Sequence, residues 1–594
     1  METKKILLTA INAKYIHSNL AVYSLKAYAR ECLERQNAGE NEKENEDKNE
    51  EKVKIDIAEY TINQQADEIL MDIYRRHPDM LCFSCYIWNI QYVRGIVREA
   101  AKILPDAEIW LGGPEVSYDA VRVLEELPEV AGVMKGEGEE TFARLVLGEC
   151  KHEMTGITFR DEEGRIIERP WREVMDLNKV PFIYRDMTDF ANKIIYYESS
   201  RGCPFSCSYC LSSVDKKLRF RDIELVKKEL QFFIDREVPQ VKFVDRTFNC
   251  SHTHAMEIWK YLTEHDRGIT NFHFEISADL LNEEEIAMIQ SMRPGLIQLE
   301  IGVQSTCPET IREIRRTMKF EKVAEAVRAV GENGNVHQHL DLIAGLPYEN
   351  LERFEESFND VYALKPEQLQ LGFLKVLKGS FMEQNRESYG LICKDTPPYE
   401  VLCTRWLSYD DVLCLKGVEE MVEIYYNSGQ FSRTIRNLEE EFPSAFGMYR
   451  ELAEYYTVCG FRKVSHSRVS RYEILLEFIQ NKKPEKAEIY RELLTYDYYL
   501  RENAKNRPEF AGEYRLSKEE VRLFYEEEAE SHWYLPDYGQ YDRNQMRRMT
   551  HLEYFPHLEE LLLFDYAVRN PLTKEARTVK VDTRYCKSII NSLK

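Results

Sequence analysis

RGCPFSCSYC, residues 201–210, sets Cys203, Cys207 and Cys210 on one short stretch of a 594-residue chain. The residues just before it, IIYYES at 194–199, are apolar and read as a strand. The C-x₃-C-x₂-C run then occupies the loop that leaves that strand. Three thiolates on such a loop can wrap a compact metal centre. A [4Fe–4S] cube takes four ligands, so three cysteines leave one iron open to a reactant. Structural zinc wants four closed ligands, and no fourth Cys or His lies at zinc-finger distance. Unligated thiols are the third reading of the same residues.

Working outward, strand-like runs recur at 240–245 (QVKFVD), 272–277 (FHFEIS), 296–301 (LIQLEI), 338–343 (QHLDLI) and 369–374 (LQLGFL). Helical stretches at about 222–236, 252–266, 283–291, 319–333 and 350–364 separate them. Six strand–helix units predict a parallel barrel or open partial (β/α)6 barrel over 194–377, with its chemistry at the C-terminal strand ends. Upstream, KKILLTA (4–10), VKIDIAE (53–59), MLCFSCY (80–86), EIWL (108–111) and AGVM (131–134) alternate with amphipathic stretches at 21–34 and 93–104. That alternation predicts an α/β domain, a doubly wound Rossmann-like parallel sheet, over 1–150. QNAGENEKENEDKNEEK, 36–52, interrupts it; charge and the near absence of apolar residues predict a disordered acidic insertion. Residues 151–193 read as a connector with a hairpin around GITFRDEEGRIIERP. From 378 to 594 the stretches are long, helical and rich in Tyr, Glu and Arg, so a mainly helical domain is expected.

Apolar residues form 43% of the chain, enough for several cores, and the length suits roughly three or four domains of about 150 residues. No apolar run approaches a membrane span, and the start, METKKILLTAINAK, reads as a first strand rather than a signal peptide. A soluble cytoplasmic protein is expected. The formal charge of −23, from 103 acidic against 80 basic residues, makes nucleic acid an unfavourable partner. Fourteen cysteines without a signal peptide argue for free thiols rather than a disulfide framework.

With the aromatic Tyr209 before its last cysteine, the cysteine stretch resembles the radical S-adenosylmethionine (SAM) enzymes, and the resemblance covers 194–377. It implies a [4Fe–4S] cluster on Cys203, Cys207 and Cys210 whose open iron binds SAM, with Tyr209 beside it. An electron from the reduced cluster would split the sulfonium, giving methionine and a 5′-deoxyadenosyl radical. FVDRTFN (243–249) is similar to the family's second-strand segment and implies Asp245 near SAM. FEISADLL (274–281) resembles the third and implies Glu275 and Ser277; LEIGVQS (299–305) resembles the fourth and implies Glu300, Gln304 and Ser305. DLIAGLPYE (341–349) resembles the fifth-strand glycine motif, where Gly345, lacking Cβ, would let backbone approach adenine.

In the first domain, LGGPEVS (111–117) and VMKGEGEETFARL (133–145) follow strands at the crevice of an α/β sheet. Taken alone, they are equally tight turns or a ligand rim. Ahead of such a barrel, they resemble the cobalamin-binding domain of B12-dependent radical SAM enzymes, which implies a crevice made by Asn12, Gly112, Gly113, Gly136 and Glu137. The D-x-H-x-x-G signature of that domain is missing; the first loop reads NAKYIHSN (12–19), where His17 is taken as a loop or core histidine.

YYESSRGCPFSCSYCLSS and GFLKVLKGS make the whole chain similar to B12-binding radical SAM proteins with a C-terminal DUF4080 region. The resemblance implies cluster, SAM and cobalamin as cofactors, and a reductase such as flavodoxin or ferredoxin as electron donor. The function expected is methyl transfer to an unactivated carbon or phosphorus centre of a small molecule or peptide. One SAM would methylate the cobalamin and a second would supply the radical. Cobalamin-dependent rearrangement, cyclisation or oxidation is the alternative, and an RNA-modifying radical SAM enzyme is a further one. The scattered Cys393, Cys403, Cys414, Cys459 and Cys586 read as no second cluster, and the aromatics of YYTVCGF and TYDYYL as helix-packing core.

Overall fold

The computed structural model describes residues 3–41, 52–214, 216–582 and 585. The chain forms two compact units. The first comprises residues 1–332, 343–350 and 372–408; the second comprises 333–342, 351–371 and 409–594.

The first sheet is built from β1 (Lys4–Asn12), β2 (Val53–Thr61), β3 (Met80–Ser84), β4 (Glu108–Gly112), β5 (Gly132–Met134), β6 (Ile157–Arg160) and β7 (Ile166–Glu168). Their order is β2-β1-β3-β4-β5-β6-β7. The first five run parallel. Side-chain alternation splits the apolar runs between two faces. Leu7, Ile11, Leu81, Phe83, Ile109 and Leu111 meet the helices Ala66–Arg76, Ile90–Ile103 and Ala120–Glu126. Ile6, Leu8, Ala10, Met80, Cys82 and Trp110 meet the helices Leu20–Asn41 and Glu139–Val146. Burial on both faces is why these strands read as continuous apolar runs. With β2 on one side of β1 and β3 on the other, the strand order reverses there, and a crevice opens at their C-terminal ends.

Two sequence expectations change here. The hairpin in the connector does not merely link domains: β6 pairs antiparallel with β5, and β7 with β6, extending the first sheet. Ile157 and Phe159 are buried in that edge. The acidic stretch 36–52 was expected to be loop throughout, but the helix Leu20–Asn41 runs into it, and residues 42–51 lie outside those described.

The second sheet comprises β8 (Ile195–Tyr197), β9 (Gln240–Phe243), β10 (Asn271–Ile276), β11 (Ile297–Gln304), β12 (His337–Ala344) and β13 (Gln368–Phe373), in the order β13-β12-β11-β10-β9-β8. Neighbours from β8 to β11 pair in parallel. Capped helices return the chain between them. Asp222 accepts from Glu224 N and Leu225 N, and Asn282 with Glu285 forms a capping box. β8 to β11 therefore end on the same edge, where the cysteine loop leaves β8.

The second unit is mainly helical, with long helices at Tyr409–Val422, Ala445–Val458, Arg468–Lys482, Ala487–Arg501 and Lys518–Ser531. Its tyrosines are core: Tyr425, Tyr456, Tyr472, Tyr496 and Tyr499 are buried, and the Tyr425 and Tyr456 hydroxyls share a hydrogen bond of 2.6 Å. The mainly helical expectation holds, with a short sheet added near the end of the chain that sequence reading did not anticipate. β14 (Thr550–Phe555), β15 (Glu560–Arg569) and β16 (Ala576–Val581) form an antiparallel sheet. Leu552, Tyr554, Leu561 and Leu563 pack from it against Phe524, Tyr538 and Met546, a two-residue period that a helix could not bury. Among the described residues no helix is long and apolar enough to cross a membrane. Cys586 lies outside the described residues.

Candidate active site

A cavity of about 800 Å³ opens where the ends of the first sheet face β8, β9 and β10. From the first sheet come Asn12, Ser84, Gly112, Gly113 and Gly136. Opposite them stand Tyr196, Lys242 and Glu275, with Arg201 and Gly202 at the start of the cysteine loop.

In that loop Cys203 and Cys207 are buried and Cys210 is half-buried. Ser208 N donates to Ile314 O at 3.0 Å, and Met382 N donates to Ser208 O at 2.9 Å. Tyr209 accepts from Arg316 Nη1 at 3.3 Å, and Arg316 Nη2 also donates to Gly302 O. Burial pushes the Cys207 thiol up, and the Arg316 guanidinium pulls against it. Among the described residues no three His, Cys, Asp or Glu side chains gather round one point that a single ion could share. A cube takes each cysteine on a different iron, so its thiols stand apart, and a three-thiol donor set with no carboxylate among it fits that group.

Arg201 ties this loop to the first sheet. Its guanidinium donates to Glu198 at 2.9 and 2.7 Å, to Glu137 at 3.0 Å and to Glu139 at 2.9 Å. Arg219 adds a bond to Glu137 at 2.8 Å, and Met175 N one at 2.8 Å. Burial alone would raise the Glu139 carboxyl, but Arg201 holds it below its ordinary value. Glu137 was expected as a cobalamin contact. It lines the cavity, and its carboxylate accepts from the two arginines and a backbone amide.

The residues expected around SAM divide into two groups. Glu275 lines the cavity and stands opposite Glu300 in the β10–β11 register. Burial alone would raise the Glu300 carboxyl, but His273 Nε2 at 2.9 Å and Lys242 Nζ at 3.0 Å bring it down to about 2. Gln304 ends β11 at φ 71°, a left-handed conformation unusual for glutamine, and its buried Oε1 has no hydrogen-bond partner among the described residues. An orphaned acceptor in a strained backbone at a strand end fits a polar ligand such as SAM.

The others are held within the protein. Asp245 is buried, accepting from Ser199 N at 3.0 Å, Ser199 Oγ at 2.7 Å and Ser200 Oγ at 2.5 Å, and burial pushes it up to about 6. It braces the strand entering the cysteine loop, and like Glu300 and Gln304 it does not line the cavity. Ser305 donates to Glu349 Oε1 at 2.7 Å and accepts from Cys307 N at 3.0 Å. Ser277 donates to Asp279 at 2.7 Å. At Gly345, in the left-handed region at φ 91°, a Cβ would lie 2.8 Å from Val401 Cγ1, so the missing side chain makes room for Val401.

In the crevice, Asn12 donates to His17 O at 3.0 Å and Glu59 Oε1 at 2.9 Å. His17 Nδ1 lies 2.6 Å from Tyr196 Oη, across the cavity wall, and burial with Lys14 and Lys242 nearby holds its imidazole below the ordinary value. Gly113, at φ 107°, leaves no room for a side chain: a Cβ would lie 2.5 Å from Cys85 O. Gly112, Gly113 and Gly136 all line the cavity, where they leave backbone without side chains on its rim. Sequence reading missed Arg201, Arg219, Glu139, Lys242 and Arg316. Arg201 and Glu139 lie inside the quoted stretches and Lys242 directly before one, whereas Arg219 and Arg316 lie outside every motif, and most of their partners lie in other elements.

The B12 binding domain family matches residues 6–146, the Radical SAM superfamily 197–361, and DUF4080, described as a protein of unknown function, 387–577. The chain is a B12-binding radical SAM protein of the DUF4080 group. A [4Fe–4S] cluster, SAM and cobalamin are the cofactors of these domains.

The protein is 24% identical over 311 residues to 2-(S-pantetheinyl)-carbapenam-3-carboxylate methyltransferase of Streptantibioticus cattleyicolor, covering 48% of this chain and 45% of that one. It is 22% identical over 312 residues to anaerobic magnesium-protoporphyrin IX monomethyl ester cyclase of Rubrivivax gelatinosus, covering 49% and 55%. The chain thus spans about half the length of these relatives. Its fold is similar to that of the cobalamin-dependent SAM radical enzyme OxsB solved with aqua-cobalamin and SAM, with a TM-score of 0.56, 16% identity and coverage of 84% of this chain and 79% of that one.

Proposed function

We propose that this B12-binding radical SAM protein is a cobalamin-dependent methyltransferase acting on an unactivated carbon or phosphorus centre. The observation that carries the reading is the shared cavity, where the first sheet's glycine rim, the residues flanking the three cysteines (Arg201, Gly202, Leu211 and Ser212) and the ends of β9 and β10 open on one space. When bound, the cofactors supply a transferable methyl group and a hydrogen-abstracting radical, and the protein supplies alignment and exclusion of water.

In this reading Cys203, Cys207 and Cys210 hold the cluster, and Arg316 fixes Tyr209 against the loop. Glu275 and Lys242 at the cavity, Glu300 paired to Lys242, and the orphaned Gln304 oxygen offer charge and acceptors to SAM. Asn12, Gly112, Gly113 and Gly136 form the corrinoid rim. Asp245, Ser277, Ser305, Gly345 and Glu137 position the loops around these groups. A small molecule or peptide is the substrate, and a reductant such as flavodoxin feeds the cluster.

The similarity to a cyclase favours a second reading, cobalamin-dependent radical chemistry without methyl transfer. One experiment separates the two. The anaerobic full chain, with cluster assembled, is loaded with hydroxocobalamin, desalted, reduced, and given SAM. About one corrinoid per chain with S-adenosylhomocysteine formed supports methyl transfer. Bound corrinoid with 5′-deoxyadenosine but no S-adenosylhomocysteine supports the second reading. No bound corrinoid on a cluster-bearing chain sinks both.

A further inference from the structure

GFLKVLKGS, 372–380, has no part in the chemistry above, yet the segment it opens touches both the cysteine loop and the first sheet's glycine loop. Leu374 N donates to Ala344 O at 2.9 Å, at the end of β12, and Val401 N donates back to Leu374 O at 2.8 Å. Val376 N donates to Tyr399 O at 3.1 Å, so the two arms of 374–401 lie side by side. Between them Met382 N reaches Ser208 O of the cysteine loop, and the Phe381 ring lies 3.6 Å under the Arg315 guanidinium. Met382, Tyr389 and Val401 share one apolar cluster with Tyr209 and Leu346.

The same segment grips the first sheet's glycine loop. Lys378 Nζ lies 3.1 Å from Asp119 Oδ2 and 3.4 Å from Glu115 Oε1, and Tyr399 Oη donates to Glu115. Glu115 is buried, two residues beyond Gly113, and its amide donates to Cys85 O at 3.4 Å. At Gly379 a Cβ would come 2.5 Å from the Tyr118 ring, so only glycine lets the segment lie against that side chain, which itself lines the cavity. Without its partners the buried Glu115 carboxylate would be left uncompensated, and the loop would have to move to hydrate it.

We propose that residues 374–401 form a strap that positions the Gly112–Asp119 loop relative to the cysteine loop, with Lys378 and Tyr399 as positioning residues acting through Glu115. The inference rests on the cobalamin reading of the glycine rim. Through one strap, order in the glycine loop and order in the cysteine loop become linked, and linkage is reciprocal.

The test compares wild type, Lys378→Met, Lys378→Arg and Tyr399→Phe as full chains with the cluster assembled. Hydroxocobalamin affinity, iron content and amide exchange over 112–119 without corrinoid are measured. Lys378→Met is expected to weaken corrinoid binding roughly tenfold and speed exchange over 112–119, with iron content unchanged; Lys378→Arg recovers most of the affinity and Tyr399→Phe falls between. Wild-type affinity and exchange in Lys378→Met and Tyr399→Phe would overturn the strap while leaving the cobalamin reading intact. A wild type that binds no corrinoid overturns that reading, and the inference with it.

Discussion

Arg201, two positions ahead of Cys203, donates to the Glu137 carboxylate at 3.0 Å, joining the cysteine loop to the last parallel turn of the first sheet. Glu139 and Glu198 share the same guanidinium. Replacing Arg201 by methionine leaves three carboxylates without their common cation. The side chain is one-fifth exposed, so the expected loss is about 2 kcal/mol, below that of a fully buried pair. Arg201→Lys keeps the charge but loses the fork and recovers part of it. Anaerobic urea unfolding and iron content check this; a methionine variant with wild-type midpoint and iron would count against the lock.

Gly113→Ala should separate folding from ligand binding less cleanly, because both depend on the same turn. Its φ of 107° and the 2.5 Å approach of a Cβ to Cys85 O require the loop to shift. A destabilisation of roughly 2 kcal/mol is expected, together with loss of corrinoid binding. A variant that retains stoichiometric corrinoid would remove Gly113 from the rim.

Gln304 offers the opposite separation. Glycine there relieves the strain of φ 71° but removes the orphaned amide. Gln304→Gly is expected to keep or raise the melting temperature while SAM binds at least about tenfold more weakly to the assembled cluster. Wild-type SAM affinity in this variant would show that the orphaned oxygen serves something else.

Acid stability should carry two opposite signatures. Glu300 is held at about 2 against an ordinary 4.5, so its folded value lies below its unfolded one. Its ionised form stabilises above about 4.5, and that contribution, of order 3 kcal/mol, is lost as pH falls toward 2. Asp245 is raised from 3.8 to about 6, so its ionisation opposes folding, and stability from this group falls as pH rises between those values. Unfolding free energies measured across pH should lose the acid-side fall in Glu300→Gln and the slope between pH 4 and 6 in Asp245→Asn. Unchanged profiles would refute both assignments.

The parallel strands lay open to sequence reading because each is covered on both faces and must be apolar along its length. β1, expected at 4–10, runs Lys4–Asn12, and β9, expected at 240–245, runs Gln240–Phe243. β14 and β15 carried a legible signal too, two aromatic and leucine-rich runs divided by Pro556 to Glu559, but helix-rich surroundings masked it. Contacts such as Lys378–Glu115 left no local trace, since 263 residues separate the partners.

Sequence by itself determined the parallel sheets, the cysteine loop on the first strand of the second sheet and the glycine turns of the first. These follow from periodicity, from ligand spacing and from residues that a tight backbone requires, all of which are local. Tertiary structure alone decided what each carboxylate faces. Glu137 and Asp245 turned inward to brace the cysteine loop, Ser305 bonded Glu349, and the space beside Gly345 went to Val401. A carboxylate's partner is the nearest cation or donor after packing, and packing brings together residues that no local pattern relates.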